Sequence, residues 1–224
     1  MRTKNIENLE GFSGVILIPV FETNAKNLVP IEFHGVSVSS KVFFGKKDTY
    51  YVAEKYDCVH IFIGLGKSID YKTLKTTFRR IASKEKNTFG KDVVLVIPEI
   101  FTLQQVEATV SGLYLGTYDL GHFKKKDEHP FAKADFELAL LSKTDFFEAA
   151  LRAIKIAKTQ IEILSLVDLP SNLITPTYLS KWAHESGVAY GFTTKILDGA
   201  AAKIEGLDAF MAVGKGSEKE PQFI

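Results

Sequence analysis

The stretch "CVHIFIGLGKS", residues 58–68, decides the fold. Residues 58–65 form a largely apolar run around His60, rich in branched and aromatic side chains, as expected of a buried strand. Gly64 and Gly66 then punctuate it, and from Ser68 the period changes. Tyr71, Leu74, Phe78, Ile81 and Ala82 recur at helical spacing with basic residues between them. A buried strand that turns tightly into an amphipathic helix is the repeating step of an α/β layered domain.

Working outward, "SGVILIPV" (13–20) is a second buried strand. Residues 31–56 hold short alternating pieces broken by Gly45 and Lys46-Lys47-Asp48, which read as short antiparallel strands or hairpins. The helix after Ser68 should end near Asn87 to Gly90, and "KDVVLVIPE" (91–99) returns to strand. Thr102 and Gln105 stand in the capping-box relationship, and Val106, Val110, Leu113 and Tyr114 line one face of the helix they start. Residues 119–135 are polar and read as a loop, and "FELALLS" (136–142) as another buried strand. The α/β domain therefore occupies residues 1–143.

Residues 144–170 read as a linker helix, with Phe147, Leu151, Ile154, Ala157, Ile161 and Leu164 on one face and Pro170 as its stop. Thr175-Pro176 is an N-cap followed by a first-turn proline. The helix it opens carries Tyr178, Leu179 and Trp182, and Gly187 is expected to close it. "VAYGFTT" (188–194) reads as a strand and "DGAAAKIEG" (198–206) as a short helix. Residues 171–224 are too few to bury a core of their own and read as the opening of a second, partial α/β unit.

Composition narrows the function classes. The 224 residues carry a net charge of +1, so no basic field calls for nucleic acid. Hydrophobic residues are 46% of the chain and there are 17 Phe, ample for a packed core. One cysteine, Cys58, excludes an internal disulfide and fits a reducing cytoplasm. The polar start, MRTKNIENLEG, lacks the apolar stretch of a secretory signal, and no run approaches the length of a membrane span. A soluble cytoplasmic protein is expected.

Motif by motif, the chemistry thins out. "GLGKS" (64–68) lies where a phosphate loop belongs, but a P-loop needs a glycine five positions before its second one, and that position is Ile61. The segment reads as a tight turn. His34, His60, His122, His129 and His184 form no close ligand pair, and no cysteine cluster accompanies them. His60 reads as a core residue, and His122 and His129 as solvated. Lys124 to Lys126 are followed at once by Asp127 and Glu128, which keeps their field local. No GxSxG elbow occurs, and Cys58 with His60 has no third group to orient it. No catalytic, cofactor-binding or metal-binding residue is assigned within the chain.

Several stretches, taken in series, resemble the leucine (cytosol) aminopeptidase family. "VHIFIGLGK" (59–67) and "VEATVSGLYLGTYDLGHFKKK" (106–126) are similar to a strand and a helix of that family's N-terminal domain. "LVDLPSNLITPTYLSKWA" (166–183) resembles the entry to its catalytic domain, a pattern LVN-x-P-x-N-x-x-TP-x-x-L. Leu166, Val167, Pro170, Asn172, Thr175, Pro176 and Leu179 fit; Asp168 stands where asparagine is usual. Gly214-Lys215-Gly216 superficially evokes the family's lysine motif, GKG-x-T-F-D-S/T-GG. It is followed by Ser-Glu-Lys-Glu-Pro and matches instead an earlier strand-end loop, with Lys215 solvated.

The resemblance implies a macro-domain-like mixed sheet flanked by helices, then a linker helix and the truncated start of a peptidase domain. It implies a peptide substrate, two divalent metal ions (Mn or Zn) in the full-length enzyme and a hexamer whose N-terminal domain packs on its own catalytic domain. The ligands of those metals belong to motifs with no counterpart before Ile224, so this segment should be inactive alone. The macro-like fold offers one alternative, a nucleotide or ADP-ribose module. Such modules hold a diphosphate on the amides of glycine-rich loops, for which this chain offers Gly64 and Gly66.

Overall fold

The computed structural model describes residues 2–23, 29–89, 92–119 and 136–224. They form two compact units, Met1–Ile163 and Leu164–Ile224. The first is built on eight strands: β1 (Arg2–Ile6), β2 (Gly14–Phe21), β3 (Ile31–Phe33), β4 (Val36–Val38), β5 (Tyr50–Lys55), β6 (Cys58–Gly66), β7 (Asp92–Val96) and β8 (Glu137–Leu141). Six make one sheet in the order β1-β8-β7-β2-β6-β5, and β3 and β4 pair as a separate hairpin. All neighbours in the large sheet are parallel except β5, which runs antiparallel to β6 along one edge.

Side chains alternate across each strand, so the sheet feeds two cores. On one face Leu17, Ile61, Ile63, Leu95 and Leu140 meet the helices α1 (Tyr71–Lys84), α2 (Leu103–Leu115) and the first half of α3 (Phe147–Val167). On the other, Ile16, Ile18, Phe62 and Val94 meet Val36 and Val38 of the hairpin and Phe43. Burial on both faces is why these strands appear in the sequence as continuous apolar runs.

The helix starts follow the expected caps. Asp70 accepts from the Thr73 amide, 2.9 Å, and opens α1. At α2 both halves of the capping box form: Thr102 N–H donates to Gln105 Oε1, 2.8 Å, and Gln105 N–H to Thr102 Oγ1, 3.4 Å.

Some expectations need correction. The polar N-terminus, unmarked as strand, forms β1. It is an edge strand in register with β8 from Arg2↔Glu137 to Ile6↔Leu141, and Lys4 and Glu137 pair across it. The helix expected to run to Asn87–Gly90 ends at Lys84, with Glu85 capping and a turn in which the Thr88 amide donates to the Glu85 carbonyl, 2.8 Å. On α3 the side facing the core is made by Ala150, Ala153, Ile154 and Ala157, preceded by Phe146, whereas Phe147, Leu151, Ile161 and Leu164 are half-buried beside it. The expected loop lies outside the described residues from 120 to 135, and with it His122, His129 and Lys124 to Lys126.

The second unit contains α4 (Pro176–Tyr190), α5 (Gly199–Ile204) and α6 (Asp208–Gly214), with a bridge between Leu197 and Phe223. Thr175 caps α4, accepting from the Tyr178 amide at 3.2 Å, with Pro176 in the first turn as expected. Gly187 does not close this helix. It sits inside it, where a Cβ would strike the Phe192 carbonyl at 2.6 Å as the chain doubles back. Closure falls to Gly191, at φ +75°, whose N–H donates to the Gly187 carbonyl. "VAYGFTT" is therefore no strand: its first three residues are the last turn of α4. The stretch "DAFMAVGKG" (208–216) is helical through Gly214, and Lys215 is the exposed C-cap of α6, not the strand-end loop that the resemblance implied.

Candidate functional site

The turn after β6 is the first place to look for chemistry, because helix N-termini at the carboxyl ends of parallel strands are where such folds bind phosphates. Here its donors are already used. Gly64 N–H donates to the Thr49 carbonyl, 2.8 Å, and Gly66 N–H to the Gly45 carbonyl, 2.9 Å. A Cβ at Gly64 would run into the Lys46 carbonyl, so the glycine lets the 45–49 loop lie directly on the strand. Gly66, at φ +72°, makes the turn itself.

The helix start beyond this turn is occupied by a negative charge of the protein's own. Asp70 accepts from the Thr73 amide and from Ser68 Oγ, the latter at 2.7 Å. Hydrogen bonds from Thr73 and then Ser68 hold its carboxyl well below the usual carboxylate range. A fixed anion at the helix terminus repels a diphosphate. The segment is a structural turn, as its length implies, and the ADP-ribose reading loses the two amides it rested on.

The histidines hold a contact that sequence reasoning missed. His34 Nδ1 lies 3.0 Å from Nε2 of the fully buried His60. Their rings are 5.3 Å apart, and the Tyr56 ring meets His34 edge-on at 5.6 Å. The two-residue loop His34-Gly35 joins β3 to β4 with both residues at positive φ, 46° and 73°. That is the backbone of a tight hairpin whose twist suits the flanking strands, and it aims His34 at the sheet. The signal was available in Ile-Glu-Phe-His-Gly-Val-Ser-Val, two alternating triplets around a turn dipeptide.

Burial foremost, then the neighbouring His34, pushes the His60 imidazole below its ordinary value, against an opposing influence from the backbone of Ala53 and Cys58. Its Nδ1 makes no hydrogen bond of good geometry. Cys58, two residues along the same strand, is buried and donates from Sγ to the Phe12 carbonyl, 3.3 Å. His184 stands exposed on α4.

A paired-metal centre needs several carboxylate or imidazole ligands converging on one point. Among the described residues no three His, Cys, Asp or Glu side chains do so. The His34–His60 couple supplies two nitrogens already bonded to each other. These residues do not fit the two-metal group that the family resemblance implies.

Comparison with known proteins supplies the context. Solved structures of similar fold include a mutant tomato leucine aminopeptidase, with a TM-score of 0.75 at 18% identity, covering 99% of this chain and 49% of that one. Another is the bottromycin maturation enzyme BotP in complex with Mn, with a TM-score of 0.74 at 16% identity, covering 94% and 44%. The architecture is thus the leucine aminopeptidase fold over about half its length.

Residues 163–224 match the model of the cytosol aminopeptidase family, catalytic domain. A "Probable cytosol aminopeptidase" of Cyanothece sp. is 30% identical over 167 residues, 72% of this chain and 34% of the relative. One from Treponema denticola is 31% identical over 194 residues, 82% of this chain and 40% of the relative. Residues 163–224 thus match the cytosol aminopeptidase family, as the motif at 166–183 implied, and the chain spans 34–40% of the length of these relatives.

Proposed function

We propose that residues 1–224 are the N-terminal part of a metal-dependent aminopeptidase that releases N-terminal residues from peptides, and that this part is not itself catalytic. Residues 1–143 form its macro-like domain, 144–170 the connecting helix and 171–224 the opening of the peptidase domain. The paired divalent ions, manganese or zinc, are held by side chains that lie outside these residues. The segment's role is assembly, with a hexamer as the parent state, and control of access to the active site. The parent works in the cytoplasm, in keeping with the cytosol aminopeptidases it is similar to.

One observation carries this reading. The match to a peptidase catalytic domain begins only at residue 163, while the chain covers 34% of the Cyanothece relative. The test is direct: assay the purified chain with leucyl-p-nitroanilide in added Mn²⁺ or Zn²⁺. No turnover above buffer is expected. Chelator-sensitive hydrolysis by the chain alone would overturn the proposal.

A further inference from the structure

Between α1 and the start of the edge strand β5 lies a groove of ≈ 650 Å³, within the size range of small-molecule sites. Its charge is lopsided. Arg79, Arg80 and Lys84 line it from the helix, and the only carboxylate in the lining is Asp48. Asp48 is used up by Arg80, whose Nη1 donates to Oδ2 at 2.6 Å, and it sits at φ 59°, an uncommon conformation for a residue other than glycine.

Neither of the other two cations forms an ion pair among the described residues, although the Glu85 carboxylate stands beside the Tyr50 phenol and holds its pKa up. Arg79 makes no ion pair or hydrogen bond among the described residues, and Lys84 Nζ lies over the Tyr50 ring, 4.8 Å from its centroid. The excess positive charge is felt one turn away: after burial, Arg79 is the next cause depressing the Lys75 ammonium. The apolar lining beside these charges is Ile63 and Ile81, both buried, and the half-buried face of Tyr50.

A merely solvated helix face would present cations outward along its length. Here the face is turned onto a concavity with an aromatic and aliphatic wall, and a strained loop residue orients one guanidinium. A guanidinium fork with an ammonium beside it suits an oxyanion bearing two charges, and the wall suits an apolar body attached to it. We propose that this groove binds a small phosphomonoester, its phosphate on Arg79, Arg80 and Lys84 and its apolar part against Tyr50, Ile63 and Ile81. The site is independent of the peptidase reading: it lies within the first unit and needs no metal.

The probes are inorganic phosphate, phenyl phosphate and phenol, titrated into the full chain by calorimetry at fixed ionic strength and pH 7.5. Phenyl phosphate should bind about tenfold more tightly than inorganic phosphate, the worth of burying one small apolar group, and phenol should not bind. Arg79→Ala and Lys84→Ala, both at exposed positions, should each weaken phenyl phosphate about tenfold, the worth of one charge-assisted contact. Their circular dichroism should be unchanged, which separates loss of the site from loss of the fold. Equal affinity in wild type and both variants would overturn the proposal. So would no phenyl phosphate binding at 10 mM probe (about the weakest affinity of interest), or binding of duplex DNA in its place.

Discussion

The two compact units are held together by different means. In the first, both faces of the sheet are closed by packed side chains, with Phe62, Phe78, Phe136 and most of the strand aliphatics fully buried. In the second, the buried hydrophobic residues among those described are Leu166 and Ala202, while Val188, Tyr190, Ile204 and Val213 lie 68–87% exposed. Two of its three helices instead show explicit local devices: Thr175 before α4, Gly191 after it and Asp198 before α5. The contrast teaches that the first unit is specified by burial and the second by caps and turns.

The largest effect expected from this difference comes from trimming each unit's hydrophobic side chains. Phe78→Ala empties a fully buried site between α1 and the sheet and should cost about 3–5 kcal/mol in urea unfolding. Ile204→Ala, at a side chain 87% exposed, should change stability by less than about 0.5 kcal/mol. Comparable losses from both would mean that the second unit carries a core the burial pattern does not reveal.

A smaller effect sharpens the same contrast. Thr102 and Thr175 are both threonine N-caps, so each change to alanine should cost about 1 kcal/mol locally. Helix α2 is gripped by its buried residues, Val106, Val110 and Leu113 among them, and α4 buries only Ser180 and Gly187. Hydrogen exchange should therefore show residues 176–190 losing protection in Thr175→Ala, while 103–115 stays protected in Thr102→Ala. Equal loss in both helices would erase the distinction.

The same physics decides what could be seen in the sequence. Central strands such as 14–21 and 58–66 were legible because burial on both faces writes an apolar run. Caps were legible because a hydroxyl or carboxylate must sit at a set distance from a free amide. Strand β1 was not, since "RTKNI" has no apolar alternation and is a strand only because β8 offers it an edge. Val188 to Tyr190 have strand-like side chains, but no neighbouring strand pairs with them and the helix begun at Pro176 simply continues. On α3 the large residues drew the eye, yet its fully buried positions are mostly alanines, and Ala150 and Ala153 join the core beside Ile154. The cationic groove was hidden because Asp48 and Arg80 are 32 residues apart and meet only through the fold.

The His34–His60 contact yields the smallest predicted effect and a test confined to the first unit. With Nδ1 facing Nε2 at 3.0 Å, one nitrogen must carry the hydrogen and the other must be bare. Burial, and then His34, disfavour a charged His60 ring, so its folded-state value lies below the ordinary 6.5. Above that pH neither folded nor unfolded chain protonates this ring, and the stabilisation is complete. As pH falls below it, the unfolded chain takes up a proton that folded His60 refuses, and stability declines towards the folded-state value. His60→Gln keeps an acceptor for His34 and removes the titration. Between pH 7.5 and 5.0 the urea midpoint of wild type should drop further than that of the variant, since the remaining titrating groups are common to both. Parallel declines would show that burial of this histidine does not govern the response to acid.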